Sequence, residues 1–135
     1  MGVTVLPRWR AAALAAPLMI AGLAASPAMA QSLEGSWSGG GSVALASGQH
    51  ERARCRAQYR RSSSTSYTVT ATCATPSGSA TQTATLRQVG GNTYAGQFHN
   101  SEYNVSGTIH VTVGGNRQSV RLMSESGSAS FELRR

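Results

Sequence analysis

Apolar and polar residues alternate along most of the chain after residue 34, and this alternation predicts β-strands. The longest run lies between residues 103 and 113, where one face collects Tyr103, Val105, Gly107, Ile109, Val111 and Val113. Polar residues occupy the positions in between, which is the period of two typical of a half-buried strand. No segment after residue 34 combines a helical period with capping residues, so the pattern favours an all-β fold.

Seven further segments carry the same signal: 35–45, 51–60, 66–74, 79–89, 93–98, 118–123 and 129–133. Short linkers rich in Gly, Ser and Asn join them, which favours hairpins over long crossovers. We therefore predict a single small antiparallel barrel or sandwich of about eight strands in meander order. Its core is predicted to contain Trp37, Val43, Tyr59, Val69, Leu86, Tyr94, Phe98, Val105, Ile109, Val111, Val120, Leu122, Phe131 and Leu133. The pattern leaves open whether the interior is filled or hollow.

The first thirty residues have the features of an export signal. Two arginines precede an apolar stretch at 11–25, and the segment ends in the Ala28-x-Ala30 pattern of a cleavage site. We predict that residues 1–30 are a cleaved signal peptide and that 31–135 form one β domain, with an uncleaved N-terminal anchor as the alternative. The protein is then periplasmic or secreted, and we do not expect it to span a membrane.

Two cysteines, Cys55 and Cys73, remain after cleavage, and an even number of cysteines in an exported domain predicts a disulfide bond. Pairing residues 51–60 with 66–75 in a hairpin brings the two cysteines opposite each other. The same register puts the apolar residues of both strands on one face, and a slip of one residue would turn them outward. Directly opposed cysteines can be strained, so a small offset stays open.

This register also gives the outer face of the hairpin a row of arginines, which we call the arginine stripe: Arg52, Arg54, Arg56 and Arg60. They are spaced by steps of roughly 7 Å along the strand, and their predicted neighbours on the paired strand are uncharged. After residue 30 the chain holds ten arginines against five glutamates, without lysine or aspartate. The stripe is a candidate binding surface for an anionic partner, although such a composition also follows from GC-rich coding and solvated charge.

Catalytic and metal-binding constellations are scarce. A Ser-His-Asp triad is impossible without aspartate, and the five glutamates are scattered mostly over strand ends and polar faces. A two-residue turn at Asn100-Ser101 would set His99 opposite Glu102 and leave His110 too far away for a shared metal site. We therefore expect surface histidines, no metal, no cofactor and no enzymatic activity.

Two resemblances bear on the fold. Gly35-Ser36-Trp37 resembles the G-x-W motif of lipocalins and other calycin barrels, in which the tryptophan packs at the closed end against a basic residue of the last strand. That resemblance implies a barrel-closing role for Trp37 with Arg134 or Arg135. The phrases GQHERARCRAQY and NVSGTI, within residues 48–113, look like a family of small exported alphaproteobacterial proteins, which implies export and a β fold.

These observations predict a non-enzymatic exported or envelope-associated protein that binds an anionic or an apolar ligand. The alternative is a periplasmic inhibitor of an exported hydrolase. Nucleic acid is not an expected partner, because aromatic residues do not interleave with the arginines on the polar face. An anionic envelope component or an exported protein fits better, and the oligomeric state stays open.

Overall fold

A computed structural model of the protein describes Gly2 and residues 32–135. The predicted signal peptide, apart from Gly2, and the predicted start of the mature chain at Gln31 lie outside the described residues. The strands are β1 (Gly35–Leu45), β2 (His50–Ser63), β3 (Ser66–Thr75), β4 (Gly78–Gln88), β5 (Thr93–Asn100), β6 (Val105–Gly114), β7 (Arg117–Ser124) and β8 (Gly127–Arg134).

Each strand pairs antiparallel with the next one along the chain, and β1 also pairs with β8, so that the sheet closes on itself. The predicted all-β meander is confirmed, and of the two architectures left open the protein adopts the barrel. Side chains alternate between the interior and the solvent along every strand, as the period of two requires. No helix occurs among the described residues, and hence none that is long and apolar enough to cross a membrane.

The register of the β2–β3 hairpin is as predicted, with Cys55 opposite Cys73 and no offset between them. The two sulfur atoms form a disulfide bond. Inward-facing residues of β2 are buried while the arginines between them are exposed. The two strands are therefore held in this register both by the disulfide and by the burial of their apolar face.

The predicted core is buried, with two exceptions. Val43 and Val105 are half-buried, because they lie near one end of the barrel where the interior is open. Leu33 and Tyr67, which the prediction omitted, are at most 2 % exposed. Both belong to the opposite end, where the segment before β1 folds over the barrel.

The turn between β5 and β6 differs from the prediction. It spans four residues, 101–104, instead of two, so that His99 pairs with Ser106 and not with Glu102. The side chain of Asn100 accepts hydrogen bonds from the backbone N–H groups of two turn residues, at 3.0 and 3.2 Å. This turn takes Tyr103 out of the strand, and its side chain is 63 % exposed instead of facing the core.

Closure of the barrel depends on glycines in β1. A Cβ atom on Gly39 would lie 2.0 Å from the backbone oxygen of Glu132, and one on Gly41 would lie 1.9 Å from that of Ser130. No carbon atom tolerates such a separation, so β1 approaches β8 closely only because these positions lack a side chain. Gly39 and Gly41 are therefore part of the seam between the first and last strands.

We expect Gly41→Ala to lower the melting temperature, because the added methyl group forces β1 away from β8. Overpacking of this kind costs about 1–3 kcal/mol, which corresponds to a decrease of at least about 4 °C for a domain of this size. Thermal unfolding followed by circular dichroism measures the change. Gly114→Ala is the matched control, since a Cβ at that position in β6 meets nothing within 4 Å. Equal melting temperatures for the two variants would contradict the role of Gly41 in the seam.

Candidate functional site

One end of the barrel is plugged by large side chains, and we call it the closed end. The largest side chains that are almost completely buried include Leu33, Trp37, Tyr59, Tyr67 and Tyr94. The indole N–H of Trp37 donates to the carbonyl oxygen of Leu33 at 2.8 Å. The hydroxyl group of Tyr67 accepts from the N–H of Leu33 at 3.2 Å. Residue 33 thus lies across this end, fixed by hydrogen bonds to two of the rings beneath it.

Arg135 covers the closed end from outside. Its guanidinium carbon lies 4.5 Å from the centroid of the Trp37 ring, a cation–π geometry. Its two terminal nitrogens donate to the carbonyl oxygens of Glu34 and Ser32, each at 2.9 Å. Of the two arginines considered from the sequence, Arg135 makes this contact, whereas Arg134 is exposed on the outer face of β8 opposite Arg117.

A buried polar pair lies just inside the plug. The hydroxyl group of Tyr59 donates to Oε1 of Gln118 at 2.5 Å, and burial raises the pKa of Tyr59 above its usual range. The amide nitrogen of Gln118 has no hydrogen-bond partner in the described structure. Gln118 is 1 % exposed. The side-chain oxygen of Gln118 gives the buried hydroxyl of Tyr59 a hydrogen-bond partner. Without that partner, the buried hydroxyl would lower the stability of the folded barrel.

The opposite end, which we call the mouth, opens into a cavity of about 440 Å³. This volume lies within the range of small-molecule sites, roughly 300–1,000 Å³. Its walls are mainly apolar and include Val43, Leu45, Phe98, Val105, Leu122 and Phe131. A smaller pocket of about 40 Å³ lies deeper, shares Phe98 and Gln82 with the cavity and extends to Tyr59. The open interior therefore reaches from the mouth toward the plug.

The cavity exists because one wall of the barrel is built from small side chains. The inward-facing positions of β2, β3 and β4 hold Ala53, Cys55, Ala57, Ala71, Cys73, Ala80 and Ala84. The facing strands contribute larger residues such as Phe98, Leu122 and Phe131, which do not fill the space on their own. The disulfide belongs to the small-residue wall, and Cys73 lines the cavity directly.

One charged side chain faces this cavity. Among the described residues that line it, Glu51 alone carries a formal charge at neutral pH. It occupies an inward-facing position of β2, in phase with Ala53 and Cys55, and is half-buried. The hydroxyl group of Ser77, in the turn between β3 and β4, donates to its carboxylate.

The arginine stripe is exposed on the outside of the same wall. Its members that pair with β1 stand opposite serine or glycine, and those that pair with β3 stand opposite threonine or alanine. Within residues 32–135, none of the four side chains makes an ion pair or a hydrogen bond. Their guanidinium groups are therefore available to solvent or to a partner.

Charge is distributed unevenly along the barrel axis. The turns at the mouth (46–49, 76–77, 101–104 and 125–126) carry Glu102 and Glu125 and no arginine. Toward the closed end, the arginines at positions 60, 61, 87, 117, 134 and 135 outnumber Glu34 and Glu132, while Arg52 and Arg54 lie on the outer wall nearer the mouth. The turns at the mouth are therefore acidic, whereas most of the positive charge lies toward the closed end.

The remaining polar features lie on the outer surface. His50, His99 and His110 are exposed, and the described residues contain no group of three or more potential metal-ligating side chains. A depression on the outer wall is lined chiefly by threonine and serine side chains together with Gln97 and His99. It is shallower, and polar atoms form a larger share of its lining than in the mouth cavity, so the mouth cavity is the better-formed candidate for a ligand.

The sequence interpretation missed Glu51 and Gln82 as residues of the interior. Glu51 was interpreted as a charge near a strand end. It lies four residues before Cys55 on the same strand, however, so alternation points both side chains to the same, inward face. Gln82 stands between Ala80 and Ala84, so the alternation also places it inside. The alternation of side chains along each strand is therefore the signal that could have identified both residues.

The fold defines a class of molecule: an eight-stranded antiparallel β-barrel that is plugged at one end and open at the other. No protein-family model matches the chain, and a comparison with curated proteins gives no match either.

Solved structures of designed β-barrels do match in fold. A redesigned barrel, mFAP1, bound to DFHBI, has a TM-score of 0.66 at 14 % identity, covering 79 % of this chain and 98 % of that one. A related design, mFAP0, also bound to DFHBI, has a TM-score of 0.64 at 14 % identity over 78 % of this chain and all (100 %) of the other. A de novo designed fluorescence-activating β-barrel has a TM-score of 0.61 at 16 % identity, with 78 % of this chain and 95 % of that one covered.

We expect Arg135→Gln to destabilise the barrel, because it removes the cation–π contact with Trp37 and the hydrogen bonds to two carbonyl oxygens. The side chain is exposed, so the expected loss is about 1 kcal/mol, or a decrease of about 4–8 °C in melting temperature. Thermal unfolding followed by circular dichroism measures it. Arg134→Gln removes the same charge from the neighbouring residue and should leave the melting temperature nearly unchanged. A similar decrease in both variants would show that net charge, and not the Trp37 contact, is responsible.

Proposed function

We propose that the protein is an exported, non-enzymatic binding protein that takes a small apolar ligand into the mouth cavity. The observation that carries this proposal is the cavity itself, an open space of about 440 Å³ with mainly apolar walls. Apolar cavities with a few polar groups are the usual form of small-molecule sites. Gln82 supplies such a group where the cavity meets the deeper pocket.

Two further observations support the proposal. The designed barrels mFAP1 and mFAP0, which share the fold, were solved with the small molecule DFHBI bound. The disulfide is compatible with an oxidising compartment outside the cytoplasm. The resemblance to calycin barrels stays a prediction, and the contact between Trp37 and Arg135 supports it.

The alternative, an inhibitor of an exported hydrolase, has less support. A protruding and rigid loop would favour an inhibitor, whereas the connections between strands in residues 35–134 span only two to four residues. The cavity, in contrast, has no role in that alternative.

We expect the unmodified protein to bind an uncharged fluorescent probe such as N-phenyl-1-naphthylamine, and Ala80→Phe to weaken binding at least about tenfold. Ala80 lies on the small-residue wall of the cavity opposite Cys73, so a phenyl ring there occupies the space of the ligand. The increase of probe fluorescence on transfer to an apolar site measures binding.

Ala74→Phe is the matched control for this experiment. Ala74 belongs to the adjacent strand but lies on the outer surface, exposed, so the same substitution leaves the cavity open. Equal binding by both variants, or no saturable binding by the unmodified protein, would contradict the proposed function.

A second candidate function rests on the arginine stripe. Four exposed guanidinium groups with uncharged cross-strand neighbours are suited to an anionic surface such as the phosphate groups of envelope lipid, because guanidinium binds phosphate in a bidentate manner. This second candidate does not involve the cavity.

If this second function exists, vesicles containing anionic lipid bind the protein at low salt and release it as salt rises, since charges are screened over about 8–10 Å at physiological ionic strength. Replacing Arg52, Arg54, Arg56 and Arg60 by glutamine should abolish this binding and leave the circular dichroism spectrum unchanged. Co-sedimentation with the vesicles measures the binding. Replacing Arg87, Arg117, Arg121 and Arg134 instead is the control with the same change in charge. Equal losses in the two quadruple variants would show a response to net charge alone.

A further inference from the structure

We propose that the mouth cavity selects an apolar ligand that ends in a positively charged group, such as a protonated amine, and that Glu51 binds this group. The inference rests on the proposed function and adds the chemical class of the ligand. It departs from the expectation of an anionic partner, which concerns the outside of the barrel.

The orientation of Glu51 is the first argument. Strand alternation directs its side chain into the barrel, in the same row as Ala53 and Cys55. It lies at the outermost inward-facing position of β2, so it stands where the apolar cavity meets solvent. A ligand whose apolar part fills the cavity would leave its polar end beside this carboxylate.

The bonding of Glu51 is the second argument. The hydroxyl group of Ser77 donates to Oε1 and holds the carboxylate in place. The other oxygen, Oε2, has no hydrogen-bond partner among residues 32–135, and Glu51 makes no ion pair within this part of the chain. An oriented carboxylate with a free oxygen is an acceptor for a charged N–H donor, which forms stronger hydrogen bonds than a neutral donor.

The surrounding charge is the third argument. The nearest arginine along the chain, Arg52, points to the outer surface, so it does not neutralise Glu51 from within the cavity. The turns at the mouth add Glu102 and Glu125 and no arginine. Inside the cavity, Glu51 is therefore the one formal charge among the described residues that a bound ligand meets, and the low-dielectric walls strengthen its attraction for a cation.

The same arrangement disfavours apolar acids. A carboxylate-ended ligand, such as a fatty acid, would bring a second negative charge next to Glu51 at the edge of an apolar wall, where like charges are poorly screened. A neutral hydroxyl end group can donate a hydrogen bond to the carboxylate, but without a charge this bond is weaker than that of an ammonium group. A cationic end group satisfies both partners.

Three compounds with one chain and different end groups test the inference: decylammonium, decanol and decanoate. Each is used, below its aggregation concentration, to displace N-phenyl-1-naphthylamine from the full-length protein. We expect decylammonium to compete at least about tenfold better than decanoate, with decanol between them, a difference that corresponds to one charge-assisted hydrogen bond. Because the three compounds are compared on the unmodified protein, the result does not depend on whether a variant folds.

Glu51→Gln should remove most of the preference for the ammonium compound and leave the affinity for decanol nearly unchanged. Glu125→Gln removes the same charge from an exposed mouth turn that does not line the cavity, and it should keep the ranking. Equal competition by the three compounds, a preference for decanoate, or a preference that persists in Glu51→Gln would overturn the inference while leaving the proposed function intact. If the naphthylamine probe itself fails to bind, the proposed function fails, and this inference fails with it.

Discussion

The pairing of β1 with β8 is the constraint on which the rest of this structure depends. An eight-stranded sheet buries its inner face only if its two edges meet, and here they meet at a seam where the backbone of β8 approaches Gly39 and Gly41 too closely for any side chain. Once closed, the sheet has no free edge that could pair with another chain. It also acquires two ends, and these differ in what fills them.

The difference between the two ends follows from where the large residues fall along the strands. Tryptophan and three tyrosines gather at the closed end, with Leu33 across them and Arg135 outside. Toward the mouth, β2, β3 and β4 carry alanine and cysteine at their inward positions. The plug stabilises the barrel through buried aromatic area and edge-to-face ring contacts, such as that between Tyr67 and Tyr94 at 5.6 Å. Because the largest buried side chains lie at the closed end, the barrel contains a cavity at the mouth.

Much of this architecture can be predicted from the sequence, because alternation is a local signal. The β2–β3 register followed from the single face shared by Cys55, Tyr59 and their partners, and it placed the arginine stripe outside. The cavity could not be predicted in the same way, since the space inside a barrel depends on its closure and on which walls face each other. The turn at 101–104 was misassigned because Asn100 forms side-chain hydrogen bonds that extend the loop, and alternation carries no information about this.

The uneven charge along the barrel also makes the molecule an electric dipole, with its negative pole at the mouth and its positive pole at the plug. Near a negatively charged surface, such a dipole experiences a torque that turns the closed end toward the surface. The entrance then faces away from that surface and into the surrounding solution. In this orientation the mouth cavity opens toward the solution and not toward the surface beneath it, and the salt concentration sets how strongly that orientation is kept.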